Sequence, residues 1–192
     1  MPRQPLPRQP GSLSAMASTL LVIGIHREEL AFGRAVAEGL DPACVEVLEV
    51  SEGLPGRHPL PDERQRHDAL HRALYQQLPA HMHGHRPLID LHTGIDLRGP
   101  AADLYCRAPE RLAGLLAAVA PAAAPRLVRL GGDEDGPYPP ARTVIPDRVW
   151  QAPEFLYVGL EVYLAAPGAG TPAEQDYARR LIAALARAAE PD

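Results

Sequence analysis

The hydrophobic pattern alternates between two periods along the chain. Residues 20–25 (LLVIGI) are apolar or glycine and rich in branched side chains, the pattern of a strand buried on both faces. A helical pattern follows at once, with Phe32, Val36 and Leu40 at four-residue steps and Gly39 as a stop signal. Residues 44–50 (CVEVLEV) alternate as a half-buried strand, with Cys44 read as core. After a loop over 51–60, Pro61 opens a predicted helix to about residue 78, with Leu70, Leu74 and Leu78 on one face. Short strands are predicted at 87–91, 102–107 and 126–130, and a helix marked by Leu112, Leu115, Leu116 and Val119 that Pro121 ends. Residues 131–153 are proline-rich and read as a long ordered surface loop. The last strong strand is 155–164 (FLYVGLEVYL). Thr171-Pro172-Ala173-Glu174 is a capping box, opening a helix that turns Tyr177, Leu181, Ile182 and Leu185 to the core. Strands alternating with helices predict one three-layer α/β domain over residues 19–192, behind an unstructured tail at 1–18 in which Met16 is an alternative start.

Composition narrows the function classes. The 192 residues suit one domain, and a net charge of -5 offers no basic footprint for nucleic acid. No apolar run approaches the ~20 residues of a membrane span. As a secretory signal, 20–25 is too short and ends in charged residues. Two cysteines, Cys44 and Cys106, are too few for a disulfide scaffold, which predicts a cytoplasmic protein. Lysine and asparagine are absent, so no P-loop lysine exists; there is no G-x-S-x-G elbow and no G-x-G-x-x-G after the first strand.

The chemistry-bearing residues sit at strand ends. His26 and Glu29 follow the first strand with H-x-x-E spacing, and an imidazole and a carboxylate three apart on one turn can share a metal ion. His92 ends the strand that runs into DLHTG and supplies a third ligand of the type zinc takes in catalytic sites. Asp90 reaches the same sheet face only if that strand continues to His92. Glu161 is a lone carboxylate in an apolar strand, hence paired, neutral or working. Each has a plain alternative: a helix-start pair for His26 and Glu29, a satisfied strand-end histidine for His92, a buried salt bridge for Glu161. His67 and His71, four apart on one helix, have metal-competent spacing but read as packing histidines, as do His81, His83 and His85.

Together GIHREE, DLHTG and the strand-borne LEV at 160–162 resemble, in order, the G-x-H-x-x-E, D-L-H-T and catalytic-glutamate blocks of the succinylglutamate desuccinylase/aspartoacylase family of the zinc carboxypeptidase clan. The resemblance implies an α/β/α fold with a central mixed, largely parallel sheet, zinc carboxypeptidase-like, and one Zn2+ per chain held by His26, Glu29 and His92. It implies hydrolysis of the amide of an N-acyl amino acid or another small carboxylate-bearing amide, with Glu161 as the catalytic acid-base. An arginine would hold the substrate carboxylate. The family's Asn-Arg pair is missing, since the chain has no Asn; Arg57, Arg64, Arg66 and Arg72 lie in that region. Arg98, Arg142 and Arg148 are the geometric choices; Tyr138 is a further candidate contact, with packing as the alternative for both Tyr138 and Tyr163. A carboxypeptidase-like metallopeptidase and a degenerate zinc- or ligand-binding protein are the alternatives. The expected partner is a small molecule, with no nucleic acid or membrane and self-association left open.

Overall fold

A computed structural model describes residues 17–56, 59–97, 101–119, 123–132 and 136–188. The tail expected at 1–18 falls outside them up to residue 16, as do Arg57, Arg98 and Pro121.

Seven strands form one sheet: β1 (Thr19–Ile23), β2 (Val45–Glu49), β3 (Pro87–Ile95), β4 (Ala101–Cys106), β5 (Arg126–Leu130), β6 (Pro140–Ala141) and β7 (Leu156–Leu164). Their order is β2-β1-β3-β7-β4-β5-β6. Every neighbouring pair is parallel except β4 with β7. This is the mixed, largely parallel sheet that the sequence predicts. The helices are α1 (Leu30–Ala37), α2 (Arg64–Tyr75), α3 (Glu110–Val119), α4 (Asp147–Trp150) and α5 (Pro172–Ala188).

Pleat alternation sorts the side chains into two layers. Leu21, Ile23, Ile89, Leu91, Leu104, Val158, Leu160 and Val162 face one way and pack with Phe32 and Val36 of α1, Leu112 of α3, and Tyr177, Leu181 and Leu185 of α5. The capping box forms as read: Thr171 N–H and hydroxyl both donate to Glu174, and the Glu174 N–H returns to the Thr171 hydroxyl at 3.3 Å. On the other face Leu20, Val22, Leu88 and Tyr157 meet Tyr75 of α2, Leu78 and Val149 of α4. Asp90, His92, Glu161 and Asp103 share this second face.

Several elements differ from the pattern-based expectation. β3 runs to Ile95 because its pairing with β7 continues to Ile95 opposite Leu164. The long loop contains β6 and α4. The helix predicted from Pro61 begins at Arg64 and ends at Tyr75, followed by a tight turn at Leu78–His81. Leu70 is 48 % exposed, and α2 instead buries His71 and Tyr75. Cys44 is exposed just before β2, and Cys106 is the buried cysteine. No helix among the described residues is long and apolar enough to cross a membrane.

The turn after β1 is held tightly. Gly24 has φ +82°, which a side chain strains to adopt, and a Cβ there would lie 2.7 Å from the Val50 carbonyl oxygen. Gly53 packs closer still: a Cβ would fall 1.9 Å from the Gly24 carbonyl oxygen. The same loop bonds His26's neighbours, with Leu54 N–H donating to Ile25 O at 2.8 Å and Arg27 N–H to Leu54 O at 3.0 Å. Because backbone cannot yield as a flexible side chain can, Gly53→Ala is expected to destabilise the fold by about 2 kcal/mol or more. Chemical denaturation measures this, and a loss below about 0.5 kcal/mol would show that the loop can move.

Candidate functional site

β1 delivers His26 at its carboxyl edge. The residue is extended (φ -109°, ψ 135°) and is bridged to Leu54. One turn of 3-10 helix, Arg27–Glu29, then swings the Glu29 carboxylate back beneath it. From the adjacent strand β3, His92 reaches the same point. Glu29 Oε2 lies 3.1 Å from His26 Nδ1 and 2.9 Å from His92 Nδ1, and Thr93 N–H donates to Glu29 Oε1 at 3.3 Å. The three ligand atoms all lie within 4.8 Å of one another.

Behind this cluster sits a fully buried carboxylate. Asp90 Oδ2 is 2.8 Å from His92 Nε2 and accepts from the Tyr157 hydroxyl at 2.9 Å and from the Tyr75 hydroxyl. With β3 extended, Asp90 and His92 do share one face. Burial alone would lower His92, but the charges of Asp90 and then Glu29 reverse this and hold it protonated well above its usual range. Burial likewise works against ionisation of Glu29, and the charge of His92 with the bonds from both histidines holds it well below the carboxylate range. The donor set fits a divalent ion: two imidazole Nδ1 atoms and one carboxylate converge, and Asp90 occupies the far nitrogen of His92, directing Nδ1 to the cluster.

Glu161 on β7 is the register partner of His92. Both line a cavity of about 290 Å³ together with His26, His71, Tyr105 and Arg142. Beyond Glu161 the register continues to Asp103 on β4 and Arg126 on β5, so His92, Glu161, Asp103 and Arg126 form one row across four strands. Strand spacing puts about 4.8 Å between successive members. Asp103 is buried and accepts from Tyr163 at 2.9 Å, from Tyr105 at 3.2 Å and from two nitrogens of Arg126. The Tyr105 hydroxyl also contacts Glu161 at 3.5 Å. Burial, with Asp103 and Glu161 adding negative charge, pushes the Tyr163 phenol up to about 12, so it stays a hydrogen-bond donor.

α2 closes the other side with His67 and His71, whose spacing is metal-competent but which the sequence reading takes as packing. His71 stacks on His26 with ring centroids 5.8 Å apart, and His67 lies 6.4 Å from His26. Burial, helped by the neighbouring imidazoles and opposed by Asp90, brings His71 down to about 4, so it is neutral at pH 7.

The expected substrate contacts divide. Arg142 lines the cavity. Arg148 is turned elsewhere: its guanidinium donates to the Gln76 carbonyl at 2.8 Å and faces another hollow. The Tyr138 ring lies under Arg129, 5.8 Å from its guanidinium carbon, and does not line the cavity. Arg98 is outside the described residues. Asp103 and Arg126 are absent from the sequence-based reading. Asp103 carries the signal that exposed Glu161, a lone acid in an apolar strand; Arg126 carries none, because only the register pairs it.

No family model matches the chain, and no curated protein matches it. Solved structures with a similar fold include murine aminoacylase 3, at TM-score 0.49 and 16% identity over 94% of this chain and 65% of that one. A bacteriophage poly-gamma-glutamate hydrolase matches at TM-score 0.46 and 14% identity, covering 90% of this chain and 84% of its own. The N-acetylmuramoyl-L-alanine amidase AmiC2 of Nostoc punctiforme matches at TM-score 0.42 and 10% identity, over 90% and 94%. This chain thus spans just under two thirds of the aminoacylase chain.

Proposed function

We propose that this chain is a zinc-dependent amidohydrolase of the desuccinylase/aspartoacylase type, cleaving the amide of an N-acyl amino acid or a similar small carboxylate-bearing amide. The observation that carries this reading is the convergence of His26, Glu29 and His92 within 4.8 Å, beside a cavity that His26, His92 and Glu161 all line. When bound, zinc supplies a Lewis acid that acidifies water and polarises a carbonyl. Glu161 takes the proton of the attacking water and returns it to the amine nitrogen as the C–N bond breaks. Arg142 holds the substrate carboxylate, its fork suited to a two-pronged contact. A chain with only two cysteines, Cys44 and Cys106, suits a reducing compartment such as the cytoplasm.

The test is metal analysis joined to turnover. The purified chain is expected to hold about one zinc, to lose it and all hydrolysis of an N-acyl amino acid panel on chelation, and to regain both with zinc. A chain that binds no zinc, or binds it and hydrolyses nothing in the panel, overturns the reading.

With zinc bound, Asp90 would keep the remaining proton on His92 Nε2 and leave Nδ1 for the metal. Asp90→Asn is therefore expected to weaken zinc about 10–100-fold, the range for second-layer partners of a ligating histidine. Competition against a chromophoric chelator measures it, and unchanged affinity would remove Asp90 from the metal's support.

A further inference from the structure

The end of the sheet opposite the His26–Glu29–His92 cluster carries a concentration of arginine that the proposed reaction does not use. Arg86 immediately precedes β3, whose other end bears His92; six residues of extended chain separate the two sites by about 20 Å. Two adjoining hollows share Arg86, Glu154 and Phe155. The larger, about 830 Å³, adds Arg148 and His85; the smaller, about 120 Å³, adds Arg107 and Arg111. Among the described residues, Glu154 is the only acidic one that lines them.

Four guanidiniums thus gather around one concave surface. Several arginines elsewhere neutralise carboxylates: Arg34 with Glu49, Arg126 with Asp103, Arg129 with Glu110, Arg179 with Asp176. Among the described residues, Arg86, Arg107, Arg111 and Arg148 form no ion pair. Arg107 donates to the Gln151 carbonyl at 2.7 Å and Arg148 to the Gln76 carbonyl at 2.8 Å, so main-chain oxygens orient two of them without cancelling their charge. His85 forms part of the wall. Its side chain is fully buried, Nε2 lies 3.1 Å from Glu46, and Nδ1 is buried with no hydrogen-bond partner among the described residues. In a chain of net charge -5, so much uncompensated positive charge around a concave surface is a local field that draws anions. A planar fork held in place matches phosphate and carboxylate oxygens in pairs, and the volume lies in the range of small-molecule sites.

We propose that this groove is a second binding site, for a small polyanion carrying two or more phosphate or carboxylate groups, remote from the hydrolytic centre. The full-length chain titrated calorimetrically with fructose 1,6-bisphosphate, and separately with propane-1,2,3-tricarboxylate, tests it. Saturable binding to one or both is expected, weakening as salt rises from about 50 to 300 mM; the better ligand tells whether phosphate or carboxylate is the natural group. Arg86 and Arg111 hold nothing else in place, so Arg86→Ala/Arg111→Ala is expected to fold normally and to bind about tenfold more weakly, with Arg86→Glu weaker still. Arg142→Ala, in the hydrolytic cavity, is expected to bind as the parent does. The proposal is overturned by no saturable binding up to about 10 mM ligand, by binding indifferent to the groove substitutions, or by binding lost in Arg142→Ala, which would place the anion in the hydrolytic cavity.

Discussion

Glu161→Gln is expected to lower kcat/KM for amide hydrolysis by about 10³-fold, within the 10²–10⁴ that a positioned general base contributes, while zinc content and Tm stay at parental values. The separation follows from the sheet. Glu161 is one strand from His92 in exact register yet is not a member of the converging ligand set. Glutamine keeps the size and the acceptor oxygen facing the Tyr105 hydroxyl, so packing against β4 survives. What disappears is a carboxylate able to take a proton and give it back. Metal analysis and steady-state kinetics on one preparation decide the matter. Activity above a tenth of the parent's would show that another group moves the proton. Zinc lost in step with activity would make Glu161 a ligand.

The His26–Glu29–His92 cluster is legible in the sequence because two of its three residues are local. His26 and Glu29 lie on one turn after an unmistakable buried strand, and His92 follows the next such strand. Parallel strands β1 and β3 bring those carboxyl ends together with no further information. The remainder depends on quantities that periodicity does not carry. α2 contains both a leucine series and a histidine-tyrosine series, about a quarter-turn apart. Counting apolar residues favours the first, but the helix turns His71 and Tyr75 inward, because Tyr75 meets the buried Asp90 and His71 stacks on His26. Arg126 joins the polar row only through the β4–β5 register, 23 residues from its partner Asp103. Arg142 and Arg148 look equivalent in a long loop, yet the short helix α4 carries Arg148 over to the Gln76 carbonyl and away from the cavity. Side-chain direction in irregular segments is set by such single contacts, which lie below the resolution of any pattern.

Glu29→Gln is expected to weaken zinc by more than about a hundredfold, beyond the cost of second-layer changes, and to reshape the pH dependence of the metal-free chain. To bind at His92 Nδ1, zinc would have to displace the proton that faces Glu29 there, so metal uptake would release a proton and affinity would rise with pH until His92 is neutral. Without metal the same charges contribute to folding. His92, raised above its unfolded value of 6.5, contributes stability that is complete below that pH and is lost as pH rises through its folded value. Glu29, lowered below 4.5, contributes stability that is complete above that pH and is lost as pH falls through its folded value. The two overlap in a plateau from pH 4.5 to 6.5. Glutamine deletes the Glu29 contribution and leaves Asp90 as the carboxylate hydrogen-bonded to His92, so the alkaline edge moves to lower pH and the plateau drops. Denaturation midpoints of chelator-treated parent and variant across pH 4 to 9 measure both edges. Superimposable profiles would mean that Glu29 and His92 are not electrostatically coupled, and the cluster would lose its claim to bind a cation.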